Sequence, residues 1–153
     1  MKKVIMVLGA MCLLVMNTFA QEIQEVPAEV LKAFEGKYAA VKGIVWDQED
    51  DGNWEAEFKM NNQEFSALFT EDGVWVETEQ EVTTKELPAS LTTMLDTEMA
   101  GYTIDDVDLI ETPKGKFYRI EVEVDGKEYK LKADMDGKVI NKKMRDENKN
   151  GLK

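Results

Sequence analysis

The sequence predicts an α+β protein made of two tandem units, each a helix followed by four antiparallel strands, with the helices on one face of the sheets. Two stretches, residues 54–73 and 118–137, each alternate apolar and polar residues around a tight turn and end in Asp-Gly. The second stretch repeats the first at a constant offset, which aligns Trp54 with Tyr118. A proline-led helical segment precedes each stretch. A tandem repeat of one small unit accounts for both observations.

The first helix is expected to begin at Pro27, because a proline in the first turn of a helix removes no backbone hydrogen bond. Four apolar side chains then recur at helical spacing: Val30, Leu31, Phe34 and Tyr38. This spacing gives the helix one apolar face. The helix should therefore cover the sheet of its own unit.

Four strands follow in the first unit. The first spans residues 41–48, and the second and third lie on either side of an Asn-Asn turn. The fourth spans residues 74–82. Strict alternation along it puts Trp75 on the same side as Glu77, away from the helix.

Residues 83–86 form the linker between the units, and it is so short that the units should touch. The first unit covers residues 21–82 and the second covers residues 87–144. Residues 145–153 are polar and are expected to form a flexible tail. The second helix opens with Pro88 and repeats the apolar face of the first through Leu91, Leu95 and Met99.

The strands of the second unit follow the same order. Asp125 and Gly126 form a hairpin turn of the favoured primed type. The runs on either side of it alternate apolar with charged residues, as half-buried antiparallel strands do. The turn at Asp136 and Gly137 leads into the last strand, residues 138–144.

Residues 1–20 have the features of a secretory signal peptide. Lys2 and Lys3 precede an apolar run, and small residues stand at the two positions that a signal peptidase reads. The run is too short to span a membrane, which takes about 20 apolar residues. We expect cleavage after Ala20, no membrane insertion of the mature chain, and a periplasmic or secreted protein.

The one cysteine, Cys12, lies within this apolar run. Lipidation of Cys12 is the alternative interpretation, but a lipidated cysteine normally follows a small residue and Met11 precedes this one. A chain cleaved after Ala20 has no cysteine left for a disulfide. A packed core must then hold it together.

The charge balance restricts the partners. The chain has 31 acidic and 19 basic residues, no histidine and a net charge of −12. Such a surface repels phosphates, so neither nucleic acid nor an anionic membrane is an expected partner. It attracts cations or a basic patch of a protein. The alternative is that the acidity serves solubility alone.

The residue inventory argues against an enzyme. Without histidine or a mature cysteine, the chain lacks the usual general-base, thiol and metal-binding side chains. Its carboxylates alternate along open strands, whereas catalytic carboxylates need a cleft that shifts their pKa values. We expect no catalytic residues and no cofactor.

Two acidic runs loosely match the start of a calcium loop: Asp47, Glu49, Asp51 and Gly52, and Asp146, Asn148, Asn150 and Gly151. Such a loop also needs a bidentate glutamate at its twelfth position. Phe58 occupies that position for the first run, and the second run has no glutamate there. We expect a turn and a tail, with weak surface binding of calcium as the alternative.

The face of the sheets away from the helices should be open and charged. Cross-strand pairs can neutralise the charged side chains that alternation places there: Glu55, Glu57, Lys59, Arg119, Glu121, Glu123, Lys130 and Lys132. Trp75 and Phe117 should point the same way. Aromatic residues among charges are typical anchors of protein interfaces. The alternative is that both are rim residues packed under a neighbouring loop. The candidate partner-binding residues are Trp75, Glu57, Phe117, Arg119, Glu121 and Lys130.

A family resemblance rests on Leu87-Pro88, the helix after it, the aromatic-led strand, the hairpin and Asp134-Met135-Asp136-Gly137-Lys138-Val139. Together these resemble the PepSY-like proteins, which are secreted or periplasmic proteins of Bacteroidetes-type bacteria and are similar in fold to the β-lactamase-inhibitor protein. The resemblance covers residues 26–144. The first copy departs from it with Thr-Glu-Asp-Gly-Val-Trp at residues 70–75.

The resemblance implies two helix-plus-four-strand units in tandem with an open sheet surface. In the inhibitor-like fold that surface grips a protein, and PepSY-type domains are associated with restraining peptidases. We therefore expect a non-catalytic module that docks a protein partner, such as a peptidase or another envelope enzyme. The alternative is an acidic protein that binds cations such as calcium, or a small ligand.

Overall fold

A computed structural model of the protein describes residues 25–145, which form an α+β structure. The helices are α1 (Ala28–Lys37) and α2 (Ala89–Glu98), and a 3₁₀ turn spans Thr84–Glu86. The strands are β1 (Val45–Gln48), β2 (Trp54–Met60), β3 (Gln63–Phe69), β4 (Trp75–Glu81), β5 (Thr103–Thr112), β6 (Gly115–Val124), β7 (Lys127–Ala133) and β8 (Val139–Met144). The predicted signal peptide, Cys12, the second acidic run and residues 146–153 lie outside the described residues.

The strands form one continuous antiparallel sheet in the order β1 to β8, so each strand pairs with its neighbours in the chain. The prediction of a separate sheet for each unit is wrong. Strand β4 pairs with β5, with Glu79 opposite Ile110 and Glu81 opposite Asp108. This ladder pairs backbone N–H and C=O groups of β4 and β5 that would otherwise be exposed at two sheet edges. The predicted linker contributes the 3₁₀ turn between them, where the Thr83 N–H donates to Glu86 Oε2 at 2.8 Å.

Both helices cover the same face of this sheet. The cross-strand register aligns Ala67 with Thr78, and Thr78 with Glu111, so the inward-facing positions of the two halves lie on one side. An ion pair across the halves agrees with this arrangement, since Lys37 Nζ at the end of α1 lies 3.7 Å from Glu111 Oε1 on β5. The opposite face carries no helix among the described residues.

The core of the first half is an aromatic cluster around α1. Phe34 is 2% exposed. Its ring centroid lies 5.3 Å from that of Trp46, 5.1 Å from that of Phe58 and 6.2 Å from that of Phe69. These tilted and edge-on contacts are favourable arrangements of aromatic rings. The helical spacing read from the sequence thus places Phe34 at the centre of the core.

The core of the second half is aliphatic. Leu91 and Leu95 of α2 are fully buried and pack among buried side chains of the strands: Val107, Tyr118, Ile120, Val122, Leu131 and Ala133. The alternating pattern of β6 and β7 provides this surface, because every second residue of a strand faces the helix.

Two glycine turns fasten the helices to the sheet. Gly73 and Gly137 both have positive φ, +77° and +83°. A Cβ atom on Gly73 would lie 2.5 Å from the Glu29 carbonyl oxygen of α1, and one on Gly137 would lie 2.9 Å from the Leu91 backbone nitrogen of α2. Each turn therefore requires its glycine for two reasons: the backbone has a positive φ, and the helix lies too close to leave room for a Cβ atom.

Candidate functional site

The candidate site is the sheet face opposite the helices, called the open face below. The register assigns the following residues to it: Glu55, Glu57, Lys59, Glu64, Ser66, Leu68, Glu77, Glu79, Glu81, Asp106, Asp108, Ile110, Phe117, Arg119, Glu121, Glu123, Glu128, Lys130, Lys132, Asn141 and Lys143. Most of these side chains are polar and at least partly accessible. The face spans strands of both halves because the sheet is continuous.

Five of the six predicted partner-binding residues lie on this face. Glu57 is exposed on β2, and Phe117 is half-buried on β6. Arg119 and Glu121 follow Phe117 on the same side of β6, and Lys130 lies opposite Glu121 on β7. Strand alternation was sufficient to place them, because the extra residue of each register shift lies on β4, β5 or β8, whereas these five residues lie on β2, β6 and β7.

The sixth, Trp75, lies on the helix side, so its predicted position on the open face is wrong. Strand β4 has an extra residue at Val76, because Leu68 pairs with Glu77 whereas Phe69 pairs with Trp75. This bulge reverses the alternation and turns Trp75 towards the core.

The surroundings of Trp75 are structural. Its indole Nε1–H donates to the Thr78 hydroxyl at 2.9 Å, and that hydroxyl also shares a hydrogen bond with Tyr38. The Lys37 ammonium lies 3.5 Å from the centroid of the Trp75 ring. Trp75 therefore joins α1 to β4 and lies on the side of the sheet away from the open face.

An apolar pair lies near the middle of the open face. Ile110 is completely buried although it belongs to neither helix-covered core, and it lies opposite Phe117. The Lys132 ammonium lies 3.5 Å from the centroid of the Phe117 ring, a cation–π contact. Sequence reasoning missed Ile110, although its position one residue after Leu109, which faces the helix, assigns it to the open face.

A charge network lies beside this pair. The Arg119 guanidinium contacts three carboxylates: Asp108 at 3.5 Å through Nε, Glu77 at 3.9 Å through Nη1, and Glu79 through Nη2. The Asp108 side chain is only 16% exposed, and Arg119 is 31% exposed. One positive charge thus faces three negative ones in partly desolvated surroundings.

Burial, together with this excess of negative charge, raises the pKa of two of these carboxyl groups. Burial and the neighbouring Asp106 raise the pKa of Asp108 to about 6, and Arg119 only partly opposes them. Burial and Glu79 likewise raise the pKa of Glu77. The ionised network is less stable than the same carboxylates in water, so a cationic group placed against it would be attracted.

We predict that Asp108→Asn becomes more stabilising as pH rises. A carboxyl whose pKa is higher in the folded than in the unfolded chain stabilises the fold at low pH, and this stabilisation is lost as pH rises from about 4 to about 6. The free energy of unfolding of Asp108→Asn minus that of the wild type should therefore increase by about 1–2 kcal/mol between pH 4.5 and pH 7.5. Urea denaturation at both pH values measures this. A gain that shrinks with pH would show that pairing with Arg119 dominates.

The two ends of the open face differ in charge. Strands β2 to β5 contribute mainly carboxylates, whereas β7 and β8 contribute three lysines, Lys130, Lys132 and Lys143, and one carboxylate, Glu128. Lys130 Nζ lies 2.6 Å from Glu121 Oε1. The charge of the open face therefore changes from mainly acidic to mainly basic along the order of the strands.

Within residues 25–145, no group of three or more histidine, cysteine or acidic side chains is arranged so that it could hold a metal ion. In the first acidic run, Asp51 accepts hydrogen bonds from the backbone N–H and the side-chain amide of Asn53. This run is a hydrogen-bonded turn. No helix within residues 25–145 is long and apolar enough to cross a membrane.

Similarity to known proteins agrees with this architecture. A protein-family model described as "Putative beta-lactamase-inhibitor-like, PepSY-like" matches residues 52–141. A solved DUF2874 family protein from Bacteroides ovatus is 25% identical, with a TM-score of 0.71 over 79% of this chain and 89% of that one. No curated protein matches the chain.

Two further solved structures share the fold. A BLIP-like protein from Bacteroides fragilis is 22% identical, with a TM-score of 0.70 over 79% of this chain and 88% of that one. A structure from Bacteroides eggerthii, described as "putative periplasmic proteins", is 23% identical, with a TM-score of 0.69 over 79% of this chain and 90% of that one. At these identities the similarity establishes the fold.

Proposed function

The chain belongs to the beta-lactamase-inhibitor-like, PepSY-like family, and we propose that it is a non-catalytic module that docks a protein partner on the open face of its sheet. The observation that carries this proposal is the centre of that face. There the half-buried aromatic ring of Phe117, which lies opposite the fully buried Ile110, adjoins the incompletely neutralised network of Arg119. An accessible aromatic side chain beside oriented charges is what protein interfaces use for affinity and specificity.

The proposed location is the periplasm or the extracellular space, after cleavage of a signal peptide at Ala20. The leader pattern of the sequence supports it, and so does the description of the Bacteroides eggerthii structure. A peptidase or another envelope enzyme is the proposed class of partner, by extension from the name of the family. The absence of histidine from the whole chain supports a role without catalysis.

We also propose that the two halves descend from one duplicated unit. Each half consists of a proline-led helix and four strands in the same order. Each has an Asp-Gly turn against its helix, and each has an extra residue in its last strand, Val76 in β4 and Ile140 in β8. Two bulges at equivalent places support a common origin, because bulges are retained within families.

The docking proposal is tested with two matched double variants. Glu57→Lys with Phe117→Ala alters the open face, and Glu35→Lys with Leu31→Ala makes the same types of change on the exposed side of α1. Each protein is used to capture partners from periplasmic extract by chemical crosslinking, and the captured proteins are quantified. We expect the open-face variant to lose its partner by about tenfold or more, which corresponds to about 1.4 kcal/mol.

The helix variant should retain the partner. Equal recovery by both variants would exclude the open face as the docking surface. Circular dichroism and thermal melting of both variants confirm that the fold is intact, so that a loss of capture reports the surface itself.

A second candidate is a cation-binding role, which the three carboxylates around the Arg119 guanidinium support. A divalent cation would neutralise carboxylates that Arg119 leaves uncompensated. Calorimetric titration with calcium decides this. Absence of heat and of any shift in melting temperature at millimolar calcium would end the proposal.

A further inference from the structure

The last strand, β8, forms one edge of the sheet, and no strand within residues 25–145 pairs with its outer side. Five of its six residues are exposed. An edge strand presents a row of backbone N–H and C=O groups that another extended chain can pair with. Strand β8 thus has the geometry of an acceptor for an added strand.

Apolar side chains accompany this edge. Ile140 is 53% exposed and Met144 is 52% exposed, and Met135 in the turn before β8 is 44% exposed. These are three of the six large hydrophobic residues that are exposed in the described chain. The other edge strand, β1, has only four residues. An added strand would therefore bury more apolar surface at β8.

The charge of the β8 edge indicates which kind of chain it would bind. In a chain of net charge −12, Lys142 and Lys143 are adjacent on β8, and no carboxylate of the described residues forms an ion pair with either. Lys143 lies directly opposite Lys130 on β7. Like charges placed opposite each other across a ladder are destabilising. Glu121 already pairs with Lys130, so an anionic group beside Lys143 would supply the partner that Lys143 lacks among the described residues.

We propose that β8 accepts an extended acidic segment of a partner protein as a ninth strand. An added strand lies about 4.8 Å from β8, so its alternate side chains stand beside those of β8 on each face. Carboxylates on one side would meet Lys143 on the open face, and apolar residues on the other would pack against Met144. This surface is the sheet edge, and it goes beyond the docking on the open face proposed above.

A second copy of the chain fits this edge less well. Two β8 strands in antiparallel pairing would place Lys142 and Lys143 of each copy near the same residues of the other. The β1 edge of a second copy offers four residues, too few to cover β8. The observations therefore favour an acidic segment from another protein.

The test uses the full chain and a labelled synthetic peptide that alternates glutamate with valine. A second peptide of equal charge has proline at two central positions, and a third has lysine in place of glutamate. Fluorescence anisotropy measures binding, and hydrogen exchange of the β8 backbone amides locates it. We expect the first peptide to bind at least about tenfold more tightly than the other two, because proline removes the ladder hydrogen bonds.

Two charge-reversal variants complete the test. Lys143→Glu should weaken binding of the first peptide by about tenfold or more, a change of about 1.4 kcal/mol. Lys114→Glu makes the same change in the exposed turn between β5 and β6 and should leave binding unchanged. The open-face variant Glu57→Lys with Phe117→Ala should also bind the peptide normally, which separates this proposal from the docking proposal.

Equal binding of the proline peptide would overturn the added strand, since it would show attraction by charge alone. Absence of binding at millimolar peptide would overturn it as well. Self-association of Lys143→Glu together with either of these results would show that the lysines protect the edge from aggregation, as they do in many sheets.

Discussion

Phe34→Ala is expected to lower the free energy of unfolding by about 3–5 kcal/mol, enough to unfold a marginally stable domain. Phe34 is 2% exposed and makes aromatic contacts with Tyr38, which follows α1, and with residues of β1, β2 and β3. Truncation removes these contacts and leaves a cavity that surrounding rings cannot fill without leaving their own positions. Urea denaturation followed by circular dichroism measures the loss.

Leu31→Ala is the matched control on the same helix. Leu31 is 40% exposed and lies outside the buried cluster. The substitution removes a side chain of comparable apolarity but leaves no internal cavity, so the expected loss is below about 1 kcal/mol. Similar losses in the two variants would contradict the assignment of Phe34 as the centre of the first core.

Gly137→Ala is expected to cost about 3 kcal/mol. A non-glycine residue at φ +83° is strained, and its Cβ would lie 2.9 Å from both the Leu91 backbone nitrogen and Pro88 Cβ. Relief requires α2 to move away from the turn. Such a movement would break the hydrogen bond from the Ser90 hydroxyl to the Asp136 carbonyl and loosen the second core. Thermal and urea denaturation measure the effect.

Gly126→Ala is the control that measures backbone strain without the steric clash. Gly126 also has positive φ, +70°, but a Cβ there would have no atom within 4 Å. Only the backbone strain remains, and the expected cost is about 1 kcal/mol. Equal losses of stability in Gly126→Ala and Gly137→Ala would show that the close packing of the Gly137 turn against α2 adds nothing to the cost of the substitution.

The periodic parts of the fold could be predicted from the sequence. Helical spacing identified Phe34, and period-two alternation placed Glu57, Arg119 and Lys130 on the open face. These predictions needed only local geometry, because the direction of a side chain in a regular element follows from its position in the repeat. The Asn-Asn and Asp-Gly turns likewise signalled the hairpins.

Two features of the fold were not predicted from the sequence, because the periodic pattern within a single strand does not specify them. The pairing of β4 with β5 depends on where the second helix returns the chain, and no pattern within either strand specifies a partner. The bulge at Val76 is a single inserted residue whose flanks, Trp75 and Glu77, still read as regular alternation. The reversal of Trp75 followed from that one residue. The burial of Ile110 depends in turn on the neighbours that the continuous sheet brings around it.

The order of the strands also bears on how the chain acquires its structure. The strands β1 to β8 are neighbours in space in the same order as along the polypeptide, so every neighbouring pair except β4 and β5, which α2 separates, needs only a short loop to close. Assembly can therefore proceed from the amino terminus onwards, one hairpin at a time, without waiting for distant segments. Contacts of small sequence separation favour rapid folding. That property agrees with the export proposed above, in which the chain would cross a membrane unfolded and fold as it emerges.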